Sequence, residues 1–209
     1  MIPQPTRLYL IRHAATAESA RGRCIGRTDA PLSAAGLAAA EQVAAGFGPL
    51  PVAAVYSSRL QRALRTAAPI AAAVGRQVVI VDDLAEIDFG TLEGRRLDEI
   101  AAADPELYER WMTRPAEVRF PGGESYAELK ARAVASIRQI VASHRGEAIV
   151  VVSHGGPIRT VLAELLGMSD HAGFELEIRH AAVTHVGWIG GSPTVHYVNA
   201  LAVRTGVRT

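Results

Sequence analysis

A three-layer α/β/α sandwich around a mostly parallel sheet is the fold this sequence predicts. Three observations carry that expectation. Short apolar runs of strand length alternate with longer segments that open on capping residues and close on Gly or Pro. Strands separated by helices need crossover connections, and those favour parallel pairing with helices on both faces. Near the end of the chain, two β-type runs flank Gly190-Gly191-Ser192-Pro193. They predict a closing hairpin that adds one antiparallel edge member.

The elements follow in order. Arg7–Ile11 reads as a strand, and the Gly- and Arg-rich stretch Gly22–Asp29 as a loop. Ser33 can cap a helix over Ala34–Phe47, which Gly48-Pro49-Leu50-Pro51 then breaks. Val52–Tyr56 is the second strand. Ser58 with Gln61 matches a capping box, so a helix is expected to run to Val74, before Gly75. Val78–Val81 is the third strand. From Asp83 to Gly123 the pattern is irregular, with helical pieces at Leu97–Ala103 and Pro105–Met112. Such a length exceeds an ordinary structureless loop, so 83–123 is expected to be a functional lid insertion.

Ser125 with Glu128 forms a second capping box. Leu129, Ala133, Ile137 and Ile140 mark one face of the helix it opens, ending near Ser143. Ala148–Val152 is the fourth strand, and Pro157 is placed to open a helix reaching Leu166. Val183–Ile189 and Thr194–Val198 form the hairpin.

The 209 residues suit one domain, 1–209, with 49% apolar and 21% charged residues, a globular balance. A net charge of +1 leaves no basic field for nucleic acid. The single cysteine, Cys24, allows no internal disulfide and points to a reducing compartment. With no leader-like start and no apolar stretch of membrane-spanning length, a cytoplasmic protein without membrane association is expected.

Chemistry concentrates where strands end. Arg12-His13 stands at the end of Leu8–Ile11, and Ser153-His154-Gly155-Gly156 at the end of Ala148–Val152. In a parallel sheet those carboxyl ends lie together on the ligand-binding edge. A lone histidine is usually structural. Arginine, however, is seldom buried without a partner, so an Arg-His pair at a sheet edge calls for an anion. Gly155-Gly156 permits close backbone approach, and the following helix offers free N–H groups to an anion. A tight turn packed for its own sake explains those glycines equally well. Arg59, Arg62 and Arg65 recur at three-residue spacing. A solvated basic stripe accounts for two of them, while Arg62 can reach over the sheet edge. Glu86 follows the third strand, and spacing alone does not separate it from Asp82, Asp83 or Asp88.

These segments together resemble the histidine phosphatase superfamily, the phosphoglycerate mutase-like proteins. Arg12-His13-Ala14-Ala15-Thr16 is similar to its Arg-His-Gly-x-Thr signature. Tyr56-Ser57-Ser58-Arg59-Leu60-Gln61-Arg62-Ala63 resembles its second arginine segment, and Glu86–Gly94 its acid segment. Pro121-Gly122-Gly123-Glu124-Ser125 and Ser153-His154-Gly155-Gly156 resemble the lid-exit and second histidine segments. The five occur in family order. The resemblance implies that His13 is the nucleophile that becomes phosphohistidine and Glu86 the proton donor to the leaving oxygen. It implies a phosphate pocket of Arg12, Arg62 and His154, with Gly155 alongside and Ser19 where the family often has asparagine. It implies a small phosphorylated substrate and neither metal nor cofactor. Ala14 stands at a usual glycine position, where a negative φ is expected to preserve activity.

Within the family, Ile87-Asp88-Phe89-Gly90-Thr91-Leu92-Glu93-Gly94 looks like the phosphatase branch, and Gly22–Ser33 is similar to α-ribazole-phosphate phosphatases. The expectation is a metal-independent phosphomonoesterase. A 2,3-bisphosphoglycerate-dependent mutase and a non-catalytic phospholigand-binding protein are the alternatives, and a homodimer is left open. Tyr108, Trp111 and Met112 could floor a substrate pocket, although simple packing accounts better for Trp111 and Met112. His171, His180, His185 and His196 lack metal-ligand spacing and receive no role.

Overall fold

The computed structural model describes residues 4–17, 20 and 22–203. Six strands form one sheet: β1 (Thr6–Arg12), β2 (Val52–Ser57), β3 (Val78–Ile80), β4 (Ala148–Ser153), β5 (Val183–Ile189) and β6 (Ser192–Ala200). Their order across the sheet is β3-β2-β4-β1-β5-β6. β3, β2, β4 and β1 pair in parallel, whereas β5 runs antiparallel to both β1 and β6. Antiparallel pairing is thus confined to the hairpin end, as the sequence pattern suggests. Gly190 and Gly191, at φ +60° and +89°, make the two-residue turn between Ile189 and Ser192. Positive φ at both positions matches the twist of a tight hairpin and is open to glycine at little cost.

The central strands alternate their side chains between two cores. Tyr9 and Ile11 of β1, with Ala148, Val150 and Val152 of β4, face the helices α1 (Ala34–Ala45) and α2 (Gln61–Ala73). Leu8 and Leu10, with Ile149 and Val151, face α5 (Tyr126–Ser143) and α6 (Gly155–Leu165). Every residue of β4 is buried, as a central parallel strand covered on both faces requires. The β3–α5 connection carries α3 (Leu97–Ala103) and α4 (Pro105–Thr113), and its apolar residues form a third cluster around Ile100, Leu107, Val118 and Phe120. A short helix α7 (Asp170–Gly173) follows α6.

Two expected helix starts are corrected. α2 begins at Gln61 after Leu60, with no side-chain cap from Ser58. The carboxylate of Asp29, from a distant loop, accepts the Gln61 N–H at 2.9 Å instead. α6 begins at Gly155 rather than Pro157, which makes His154 its N-cap residue. Ser33 and Ser125 do cap α1 and α5, the latter with the full Ser125–Glu128 box.

Candidate active site

β4 lies between β1 and β2, so the chain reverses its winding direction there and leaves a crevice at the carboxyl ends of β1 and β4. Arg12 pairs in register with Ser153, and the His13 N–H donates to Ser153 O at 2.9 Å. The two histidine segments therefore meet, with the rings of His13 and His154 5.0 Å apart. A cavity of about 640 Å³ opens at His13, lined by Arg12, His13, Arg62, Glu86, Trp111 and His180 among others, while His154 is fully buried.

His13 is held in one tautomer. Its Nδ1 lies 2.8 Å from the Ala14 carbonyl oxygen, which can only accept, so Nδ1 carries the proton and Nε2 keeps a lone pair. Burial, reinforced by the Arg62 cation and by His180 and Arg12, holds its pKa well below the ordinary histidine range. An unprotonated imidazole with a free Nε2 is the nucleophilic form. The Ala14 N–H donates to Thr66 Oγ1 (2.9 Å), and the Thr66 hydroxyl donates to Arg62 O (2.7 Å), so the loop after β1 is tied to α2. Ala14 is not among the described residues with positive φ, in line with the expectation for that position.

Arg62 is 1% exposed. Its Nε donates to His154 Nδ1 (3.3 Å), Nη1 to Thr28 O (2.8 Å) and Nη2 to Gly26 O (2.6 Å). Since His154 Nδ1 accepts, Nε2 carries the proton and donates to Ser58 Oγ at 2.7 Å. Ser58 thus serves the site and not the helix start. Burial, with His13 and Arg62 nearby, keeps His154 neutral, well below its usual pKa. Arg12 donates from Nη1 to Ile178 O (2.6 Å), and its buried Nε has no partner among the described residues. A Cβ on Gly155 would meet that guanidinium at 3.5 Å, an ordinary contact.

Three-dimensional contacts separate the carboxylates that spacing left equivalent. Asp82 pairs with Arg59 at the surface, Asp83 is exposed, and Asp88 accepts from Gly90 N at 2.8 Å. Glu86 enters the cavity, accepting from Ile87 N (2.9 Å) and from Gly156 N (3.2 Å) at the start of α6. Its backbone is clamped by Arg132 of α5. That guanidinium donates to Asp83 O, Ala85 O and Glu86 O and forms a bidentate pair with Glu124. Opposite, the Glu93 carboxylate accepts the N–H groups of Gly26, Arg27, Thr28 and Phe89, fixing the loop that Arg62 also grips.

Of the residues singled out from sequence, Arg12, His13, Arg62, Glu86, His154 and Gly155 converge. Ser19 lies outside the described residues. Arg59 and Arg65 are exposed and away from the cavity lining, as two of the three arginines were expected to be. Trp111 packs edge-on against Phe120 and also lines the cavity, while Met112 is 48% exposed. Sequence reasoning missed Ser58, Thr66, Arg132, Glu93 and His180. Cys24 is buried, and burial with Glu93 nearby pushes its thiol up to about 11, far from a reactive thiolate. Among the described residues, no group of three or more His, Cys, Asp or Glu is placed to hold a metal ion, and no helix is long and apolar enough to cross a membrane.

An α/β sandwich with paired histidines and arginines at the carboxyl edge of its sheet defines a phosphoryl-handling class of protein. Comparison with known proteins gives the family. The profile of the histidine phosphatase superfamily (branch 1) matches residues 8–201. The chain is 36% identical over 200 residues to the bifunctional protein Rv2228c of Mycobacterium tuberculosis, covering 93% of this chain but only 54% of that relative's length. It is 38% identical over 169 residues to the metal-independent phosphoserine phosphatase of Arabidopsis thaliana, covering 79% of this chain and 71% of the relative. The crystal structure of the α-ribazole phosphatase from Shigella flexneri superposes with a TM-score of 0.86 at 25% identity, covering 96% and 99% of the two chains. The chain belongs to the histidine phosphatase superfamily.

Proposed function

We propose that this chain is a phosphomonoesterase that hydrolyses small phosphorylated metabolites through a phosphohistidine at His13, without a metal ion. The observation that carries the reading is the His13 ring. Its Nδ1–H is spent on Ala14 O, its Nε2 is free, and two guanidiniums stand beside it. Nε2 attacks phosphorus, the N–P bond forms, and the ester P–O bond breaks as the Glu86 carboxyl group gives its proton to the departing alkoxide. Water then attacks the phosphohistidine, its proton passes to the Glu86 carboxylate, and the N–P bond breaks to release inorganic phosphate. Phosphoryl transfer needs chiefly positioning and charge neutralisation. Arg12 and Arg62 supply fixed positive charge; buried His154 backs the phosphate site by accepting from Arg62 Nε, and Gly155 lies beside Arg12.

Beyond Glu86 the cavity wall is Ile25, Phe89, Leu97 and Trp111, contributed largely by the 83–123 segment. That apolar surface favours an ester with a flat, apolar body, and α-ribazole 5'-phosphate is the named substrate of this kind that the reading favours over phosphoserine. The test is mass analysis of denatured protein after brief exposure to a phosphomonoester, paired with phosphate release across a substrate panel. One added phosphoryl group at His13, absent in His13→Ala, is the expected result. Isomerised phosphoglycerate without phosphate release would make the protein a mutase, and an unmodified His13 with ligand bound would make it a binding protein.

A further inference from the structure

His180 lies in the connection after α7, just before β5, and lines the same cavity. Its ring centroid is 4.9 Å from that of His13. Its Nδ1 lies 3.0 Å from the His13 carbonyl oxygen, so Nδ1 carries the proton and Nε2 is left as the variable end of the ring. The neighbouring backbone reinforces this placement. Ala181, at φ +54°, donates its N–H to Arg12 O at 3.0 Å, so the segment adopts a left-handed turn in order to lie across the end of β1. Residue strain of this kind persists where surrounding contacts over-determine it.

We propose that His180 is a third imidazole of the phosphate site, which takes a proton from solvent when a phosphoryl dianion fills the cavity and donates it from Nε2 to a phosphoryl oxygen. The inference rests on the phosphatase reading above. With the cavity empty, the groups facing His180 are Arg12 of β1, Arg62 of α2, neutral His13 and the Glu86 carboxyl across the opening; on its own segment Arg179 pairs with Glu177. Burial, together with the Arg12 and Arg62 cations, then keeps the ring neutral. A dianion in the cavity offsets the two cations and so favours the imidazolium. Since the residue is exposed at the cavity rim, water can deliver the proton. Arg12 and Arg62 are already partly committed to carbonyl oxygens, so a donor from His180 adds to the N–H groups they have left.

Two variants divide the ring. Asn at 180 can keep the donor to His13 O that Nδ1 provides and loses the distal nitrogen; Gln can place an N–H where Nε2 stands. The experiment follows the His180 Cε1–H resonance through a pH titration with and without inorganic phosphate, assigned by its loss in His180→Asn. The expected result is a midpoint that rises by at least one pH unit when phosphate binds. In turnover, kcat, which reports the bound complex, should fall on the alkaline side in wild type. His180→Asn should lower kcat about tenfold. His180→Gln should recover part of that loss and remove the part of the alkaline limb that His180 sets, leaving only that of the Glu86 acid. A midpoint unmoved by bound phosphate, or an unchanged alkaline limb in both variants, overturns the inference while leaving the phosphatase intact. Failure of wild type to bind phosphate or form phosphohistidine refutes the underlying reading instead.

Discussion

Gly156→Ala isolates the carboxyl group of Glu86 without touching Glu86 itself. A Cβ at position 156 would stand 2.2 Å from Glu86 Oε1 and 3.2 Å from Leu129 Cδ2. Ordinary contact begins near 3.4 Å, so the carboxylate must retreat by about 1 Å, and its bond from the Gly156 N–H is lost. The retreating atoms are the end of a flexible side chain, and alanine is favoured over glycine in a helix by up to about 1 kcal/mol. Thermal stability should hence change little, within about 4 °C for a domain of this size. Catalysis should not be spared. Misplacing a reacting group by about 1 Å can cost about 10²-fold, which falls within the range general acids contribute. The assay compares kcat/KM for an alkyl phosphate and for an aryl phosphate whose oxide leaves unaided. The alkyl ester should lose about 10²-fold and the aryl ester only about threefold. Equal losses on both esters, or none on the alkyl ester, would refute the assignment of Glu86 as proton donor. Gly155→Ala, whose Cβ meets Arg12 at an ordinary 3.5 Å, provides the comparison for a neighbouring glycine that does not abut the acid.

Arg132→Met should mimic that leaving-group selectivity, since the clamp on residues 83–86 is gone; it should also lower stability by about 2 kcal/mol as Glu124 loses its bidentate partner, read by denaturant titration. Ser58→Ala leaves the His154 Nε2–H buried without an acceptor, which should cost about 1–3 kcal/mol and weaken inorganic phosphate binding, measured by calorimetry. His185 is 4% exposed, stacked between Tyr9 and His196, with neither ring nitrogen paired among the described residues. Burial, with His196 and Arg7, lowers its pKa to about 4 from 6.5. Between those values the unfolded chain binds the proton and the folded one does not, so stability rises with pH across the window and is lost as pH falls from about 6.5 toward 4. The loss from this residue approaches about 3 kcal/mol, and melting temperatures of His185→Phe should depend less on pH there than those of wild type.

Sequence pattern reached furthest where the physics is local. The apolar runs of β1 and β4, the Ser125–Glu128 box and the Gly190-Gly191 turn each rest on neighbours within a few residues, and each is present. Local logic also explains the misreading of Ser58. Ser-x-x-Gln matches a capping box, but the hydroxyl finds a stronger use with His154, 96 residues away, and Asp29 takes over the capping duty. Spacing alone does not separate Glu86 from three aspartates, and only the family resemblance singles it out; the physical distinction comes from Gly156 and Arg132, on elements far along the chain. His180 carried no signal whatever. It lies in an aperiodic connection, and only the return of β5 beside β1 brings it to His13.

The electrostatics of the site follow from what its arginines are bonded to. Among the described residues, Arg12 and Arg62 form no salt bridge. Their hydrogen bonds go to the carbonyls of Ile178, Thr28 and Gly26 and to the neutral ring of His154. Carbonyl oxygens satisfy N–H geometry without cancelling charge; burial lowers the pKa of both arginines, and the Glu86 carboxylate opposes it in each without pairing directly. Of the other carboxylates near the site, Glu124 is occupied by Arg132 and backbone, and Glu93 by four backbone N–H groups. Burial first, and the Arg62 and Arg12 cations after it, hold the His13 pKa well below the ordinary histidine range. In the proposed reaction the same two cations would receive the phosphate dianion. Placing a carboxylate against Arg62, as in Thr28→Glu, would offset its charge internally; it should weaken inorganic phosphate binding and raise the His13 pKa together, two effects that NMR titration reads in one experiment.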